Sequence, residues 1–132
     1  LTYIALFLGG VLGGMLRYTL GLVIPTPDSF PLDTLVINLS GSLALGLFYG
    51  FADIHPMKPW LRTGLSTGVI GAFTTFSTFC TGVDALGSTH LVLAAAYVLA
   101  SIVGGPLLAF MGDRIIFALS PRPARTTEEM SA

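Results

Sequence analysis

Gly71-Ala72-Phe73-Thr74-Thr75-Phe76-Ser77-Thr78-Phe79 lies in the middle of an uncharged run over residues 63–83, long enough to cross a bilayer as a helix. It is a poor segment to leave against lipid. Wrapped on a helix at about 100° per residue, Thr74, Ser77, Thr78 and Thr81 form one hydroxyl stripe. Phe73, Phe76 and Phe79 recur every three residues and form a second stripe roughly opposite the first. Gly71, followed by the β-branched Thr74 and Thr75, weakens the helix at mid-membrane. Unwound backbone at that depth is tolerated only inside protein or beside a water-filled cavity. Freed carbonyls there can bind a small cation, and hydroxyls can donate to an anion. The plainer alternative is a packed helix whose Ser and Thr bond back to the preceding turn.

Composition agrees with a membrane setting. The 132 residues are 53% hydrophobic and 10% charged, with mean hydropathy +0.83. A soluble domain carries about 25% charge. An all-α integral membrane protein is therefore expected, with no soluble domain among these residues. The net charge of −1 provides no basic footprint for nucleic acid. Cys80 is the single cysteine, so no intrachain disulfide can form, and its apolar surroundings predict a buried thiol. The numbering starts at Leu1, so the expectation is that an initiator and a few residues precede it. No basic segment with a cleavage pattern precedes the first apolar run, which is expected to stay as a helix.

Four spans are expected, over about residues 3–24, 34–52, 61–83 and 91–112. Pro25 to Asp33 and Asp53 to Pro59 form loops, Trp60 is an interfacial anchor, and residues 84–90 form a short turn. Residues 120–132 are expected to be a disordered tail. Gly9 and Gly13, Gly10 and Gly14, Gly46 and Gly50, and Gly64 and Gly68 are small-xxx-small pairs that predict close helix contact. Four spans put both termini and the second loop on one side. That side holds Lys58, Arg62, Arg114, Arg122 and Arg125, so the positive-inside rule places both termini in the cytoplasm.

The polar residues inside the spans are few. Arg17 either snorkels to the far interface or lines an anion vestibule. Thr34, Asn38 and Ser42 share a face of the second span. The Asn38 amide either bonds a neighbouring helix or turns its donors to an anion. Tyr97 and Ser101 share a face of the fourth span, where Gly104 and Gly105 leave space. His55 and His90 lie in loops without metal-ligand spacing, and no catalytic constellation is present, so an enzyme is not expected.

With these residues assembled, the chain resembles the Fluc/CrcB family of fluoride channels across all four spans. The resemblance rests on Gly10-Val11-Leu12-Gly13-Gly14-Met15-Leu16-Arg17-Tyr18, on Thr34-Leu35-Val36-Ile37-Asn38-Leu39-Ser40-Gly41, on the opening motif, and on Tyr97-Val98-Leu99-Ala100-Ser101. It implies an antiparallel dimer of four-helix subunits, with fluoride pathways along the subunit interface and a third helix broken at its centre. It implies one structural Na⁺ on the dimer axis, held by backbone carbonyls that match Gly71 and Thr74. It assigns fluoride contacts to Phe76 and Phe79, the pore amide to Asn38, and a polar track to Thr34, Ser77 and Thr78. Tyr97 and Ser101 match the fourth-helix pore residues, and Arg17 matches a first-helix arginine. Ala72 departs from the Gly-Gly often found at the break, and fits there if its backbone is not left-handed.

The lysine and arginine bias adds an expectation of its own. A chain that inserts one way would pair with an oppositely oriented paralogue rather than an identical copy. Two rival readings are a small four-helix multidrug exporter, which needs a membrane carboxylate, and a non-conducting assembly subunit. The span cores hold no Asp or Glu to serve the first, and the second would explain the small-residue pairs but not the phenyl and hydroxyl stripes.

Overall fold

Prolines and apolar runs set the helix limits. The computed structural model describes residues 1–120, so the tail expected beyond Ser120 lies outside the described residues. Helix α1, Thr2–Val23, ends at Ile24, whose backbone is extended ahead of Pro25. A 3₁₀ turn, Pro27–Ser29, carries Asp28 at φ 50°, a left-handed position that aspartate tolerates. Helix α2 is Leu32–Ile54, with Asp33 in its first turn, where a carboxylate complements the positive end of the helix. It stops at His55, ahead of Pro56. The third apolar stretch is composite: α3 (Pro59–Thr63), a π-helical segment (Gly64–Ile70), α4 (Gly71–Phe73), then α5 (Ser77–Thr89). Helix α6 is Leu91–Leu119.

Four helical stretches, Thr2–Val23, Leu32–Ile54, Pro59–Thr89 and Leu91–Leu119, are long and apolar enough to cross a membrane. A 22-residue helix rises about 33 Å, against a hydrocarbon core of about 30 Å. The apolar side chains are distributed as lipid solvent requires. Leu12, Met15, Val92, Leu99 and Ile102 face outward, while the buried core is small and includes Ile37, Phe73, Leu86 and Tyr97.

Glycines bring the helices together in two close pairs. Helix α1 lies on the π segment and α4, and α2 lies along α6. A Cβ on Gly9 would strike the Gly64 carbonyl, and one on Gly13 would strike that of Val69. A Cβ on Gly46 would strike the Ala109 carbonyl, and Gly112 backs onto the Leu43 carbonyl in return. In lipid, where apolar burial gives helices little reason to associate, such backbone approach supplies the packing. The Gly10 and Gly14 pair meets nothing within 4 Å among the described residues. Gly104 packs against Leu39 of α2, whereas Gly105, beside Ser42, borders a cleft.

Three expectations need correction. The turn expected over residues 84–90 is helical through Thr89. Leu86 is buried against Ala94 and Tyr97, and the Ser88 and Thr89 hydroxyls donate back to the Ala85 carbonyl, so packing overrides weak local propensity. The last helix continues past residue 112 to Leu119, helped by Arg114 over the Phe110 ring and Ile116 against Gly50. Cys80 is exposed on the outer surface of the chain rather than buried.

The glycine contacts can be checked by one substitution made twice. Gly46→Ala should lower the melting temperature of the detergent-solubilised protein, at about 1–3 kcal/mol of overpacking. Gly87→Ala, in a helix with nothing within 4 Å among the described residues, should raise the melting temperature, through roughly 0.5–1 kcal/mol of added helix stability.

Candidate functional site

Residues 74–76 interrupt the third helical stretch. Helix α4 stops at Phe73, Thr74 turns to ψ 160°, and α5 begins at Ser77. Two threonines in sequence provide the means, because each hydroxyl can replace a backbone partner. The Thr74 amide and hydroxyl both donate to the Ile70 carbonyl, at 3.0 and 3.1 Å, and close the last turn. Thr75 leaves the helix altogether. Its amide donates to Asn38 Oδ1 at 2.8 Å, and its carbonyl accepts from Asn38 Nδ2 at 2.8 Å. Only one orientation of the amide satisfies both bonds, so Asn38 is held on α2 as a two-point clamp. The Thr78 amide, at the start of α5, donates to Thr75 Oγ1 at 3.3 Å.

These substitutions free the Gly71 and Thr74 carbonyls, and among the described residues those of Ala72 and Phe73 have no backbone partner across the break either. In an uninterrupted helix, the Gly71 carbonyl would receive the Thr75 amide, and the Thr74 carbonyl would receive the Thr78 amide. Both amides are committed elsewhere. Gly71 O keeps only a long 3.5 Å approach from the Thr74 hydroxyl. Uncharged backbone oxygens of this kind suit a sodium ion, and Gly71 and Thr74 each offer one. Ala72 is no obstacle, since it lies within right-handed α4 and Asp28 is the only described non-glycine with positive φ.

The phenyl stripe expected from the sequence is divided by the break. Phe73 is buried against Gly41 of α2. Phe76 projects from the chain at 77% exposure. Phe76 stacks on Phe79 at 5.8 Å, Phe79 stacks on Tyr97 at 5.3 Å, and Phe30 meets Tyr97 edge-on at 5.7 Å. The hydroxyl stripe is divided too. Thr74 and Thr81 are bonded back within their own helices, whereas Ser77 and Thr78 gather around Thr75.

Two clefts flank this point. One, of about 520 Å³, is lined by Asn38, Ser42, Gly71, Thr74, Phe76, Phe79 and Ser101 among others. The other, of about 430 Å³, is lined by Arg17, Asp33, Thr34, Thr78 and residues of α1. Thr75 borders both. The face shared by Thr34, Asn38 and Ser42 is thus split between two clefts. Ser77 is exposed and lines neither, but its hydroxyl lies 3.2 Å from Thr75 Oγ1. The Tyr97 and Ser101 hydroxyls are buried and have no hydrogen-bond partner among the described residues. Arg17 is half-buried in the wall of the second cleft.

Three residues of the site escaped the sequence reading. Thr75 could have been found from Thr75-Phe76-Ser77-Thr78, the spacing of a capping threonine to the amide three residues on. Gly41 lets α2 approach the break, since a Cβ there would overlap the Thr74 methyl. Ser66, buried in the π segment, lines the first cleft and had no distinguishing sequence signal.

Asn38→Ala should leave both Thr75 peptide groups unpaired and speed exchange of its amide by roughly tenfold to a hundredfold, read by hydrogen–deuterium exchange. Asn38→Asp, which keeps the acceptor, should retain protection of that amide while losing the bond to the carbonyl.

Comparison with known proteins gives the family of the chain. The model of the family described as CrcB-like protein, Camphor Resistance (CrcB), matches residues 4–113. The chain is 45% identical over 112 residues to a Ligilactobacillus salivarius protein named fluoride-specific ion channel FluC 2, covering 84% of this chain and 81% of that one. It is 39% identical to a protein of the same name from Geobacillus kaustophilus, over 85% of this chain and 90% of the other. A third of that name, from Bacillus subtilis, is 44% identical over 83% of each chain. These proteins bear the name of an ion channel, not of an enzyme. With the family model spanning most of the length and relatives this similar over most of theirs, the chain belongs to the CrcB (FluC) family of membrane channel proteins.

Proposed function

We propose that the chain is one subunit of a passive, fluoride-selective channel that exports cytoplasmic fluoride and gives fluoride resistance. The observation that carries this reading is the break at residues 74–76, where Asn38 takes over the Thr75 peptide between two clefts. Moving a bare anion into low dielectric costs tens of kcal/mol in Born terms, so a pathway has to replace water's donors. Hydroxyls of Thr34, Ser77, Tyr97 and Ser101 and the remaining Asn38 amide proton can do so, while Thr78 spends its own proton on Thr75 Oγ1. The exposed Phe76 and the Phe79 ring beside it add positive ring edges, which meet an anion weakly and let it leave. Arg17 would concentrate anions in the second cleft.

The proposed assembly is an antiparallel dimer in the membrane, with the break at mid-membrane and the pathways between subunits. The Gly71 and Thr74 carbonyls would hold the structural Na⁺ there, completed by the same oxygens of the second subunit. The ion would screen the anion pathway and tie the two breaks together. HF that enters from an acidic exterior dissociates in a more neutral cytoplasm, and the trapped anion leaves through the open path. Lys58, Arg62 and Arg114 on one side favour a single orientation with cytoplasmic termini. That bias favours an oppositely oriented paralogue over an identical chain as partner.

Liposomes carrying the assembled channel should release fluoride and retain chloride. Equal passage of both would overturn the selectivity, and no fluoride release would overturn the channel. Phe76→Ile should slow release on the order of tenfold or more. Replacing sodium with a large organic cation should lower the melting temperature, as loss of any ligand bound only by the folded state does. Reporter fusions at the C-terminus should report one orientation, and equal signals from both sides would refute the paralogue pairing.

A further inference from the structure

The pathway residues named above leave Thr75 without a part, although both clefts border it. Its hydroxyl has three neighbours. The Thr78 amide donates to it at 3.3 Å and the Thr78 hydroxyl donates at 3.1 Å. The Ser77 hydroxyl lies at 3.2 Å. A hydroxyl has two acceptor positions and one proton. The two Thr78 donors fill the acceptor positions, so the Thr75 proton goes to Ser77 Oγ. Ser77 then accepts, and its own proton is uncommitted within the cluster. Thr74 has spent its proton on Ile70 O, and Thr81 has spent its own on Thr78 O. Of the hydroxyls along residues 74–81, Ser77 therefore keeps the free donor, on the outward side of the chain beside exposed Phe76.

We propose that Thr75 is a positioning residue that orders this relay, so that the Ser77 hydroxyl presents its proton to the permeating anion. The proposal rests on the fluoride-channel reading. Orientation matters because Ser77 opens α5 and has no helical turn before it to fix its hydroxyl. Without the Thr75 proton to accept, the Ser77 hydroxyl loses its one partner in the chain and its proton is no longer aimed. A donor fixed in advance also stabilises a desolvated anion without reorganising as the ion arrives.

The experiment compares fluoride efflux from liposomes carrying the wild-type channel and four variants: Thr75→Val, Thr75→Ser, Ser77→Ala, and Thr75→Val with Ser77→Ala. Thr75→Val and Ser77→Ala should each slow efflux by roughly tenfold to a hundredfold, the loss of one hydrogen bond to a charged group. Thr75→Ser should restore efflux to within about threefold of wild type, since it keeps the hydroxyl. The double variant should be no slower than the slower single variant, because both changes remove the same donor. Multiplying effects would show a merely structural role for Thr75 and overturn the proposal, as would wild-type efflux from either single variant. Should Thr75→Val fail to assemble, Ser77→Ala and Thr75→Ser decide alone: Ser77→Ala at the wild-type rate, or Thr75→Ser as slow as Ser77→Ala, overturns it. A wild-type protein that passes no fluoride would overturn the channel reading, and the role of Thr75 with it.

Discussion

A peptide group that leaves a helix in an apolar medium must find another partner, and Asn38 is that partner for Thr75. An unpaired donor or acceptor there costs about 1–3 kcal/mol, so two unpaired groups would close the break back into helix. The clamp removes that penalty. It also fixes how far the break lies from α2, which Gly41 permits by having no side chain to strike Thr74. The freed Gly71 and Thr74 carbonyls, the capping of α5 by Thr75, and the outward projection of Phe76 all follow from this one exchange of partners.

The rest of the bundle serves to hold two halves in place. The α1 helix and the π segment meet at backbone distance through glycines, as do α2 and α6. A π segment widens the helix by one residue per turn, and such segments often occur near functional sites. Here it lies one turn before the break, with Gly64, Ser66 and Gly68 buried against α1 and in the interior. Asn38 comes from the α2 half, and the break belongs to the α1 half. The clamp is thus also a bond between the two halves. At the loop end the Arg62–Asp53 pair, 2.9 Å and exposed, ties α2 to α3 and contributes little energy.

In the proposed channel, the chemistry that an anion pathway needs would be distributed along that seam. Donors lie at its polar points and ring edges at its apolar ones, and neither alone would replace a hydration shell. Tyr97 shows how closely the two kinds are interleaved. Its ring completes the stack with Phe79, while its hydroxyl is buried and unpartnered among the described residues.

Span number, the membrane setting and the residue types at the break are local properties, readable from run lengths, charge and motif. So was the family resemblance, because its motifs lie in order along the chain. Periodicity failed at the break, since stripes drawn on one continuous helix cannot survive a helix that stops: Phe73 is buried, Phe76 projects, Thr74 and Thr81 bond back along the chain, and Ser77 and Thr78 gather around Thr75. The helix over residues 84–89 was missed because Leu86 is anchored by α6, which local propensity does not register. The choice between a helix–helix bond and an anion donor for Asn38 could not be made from the sequence. Its partner is 37 residues away, and hydrogen bonds act only at contact distance and in fixed directions, so folding alone could decide that both ends of the amide meet Thr75.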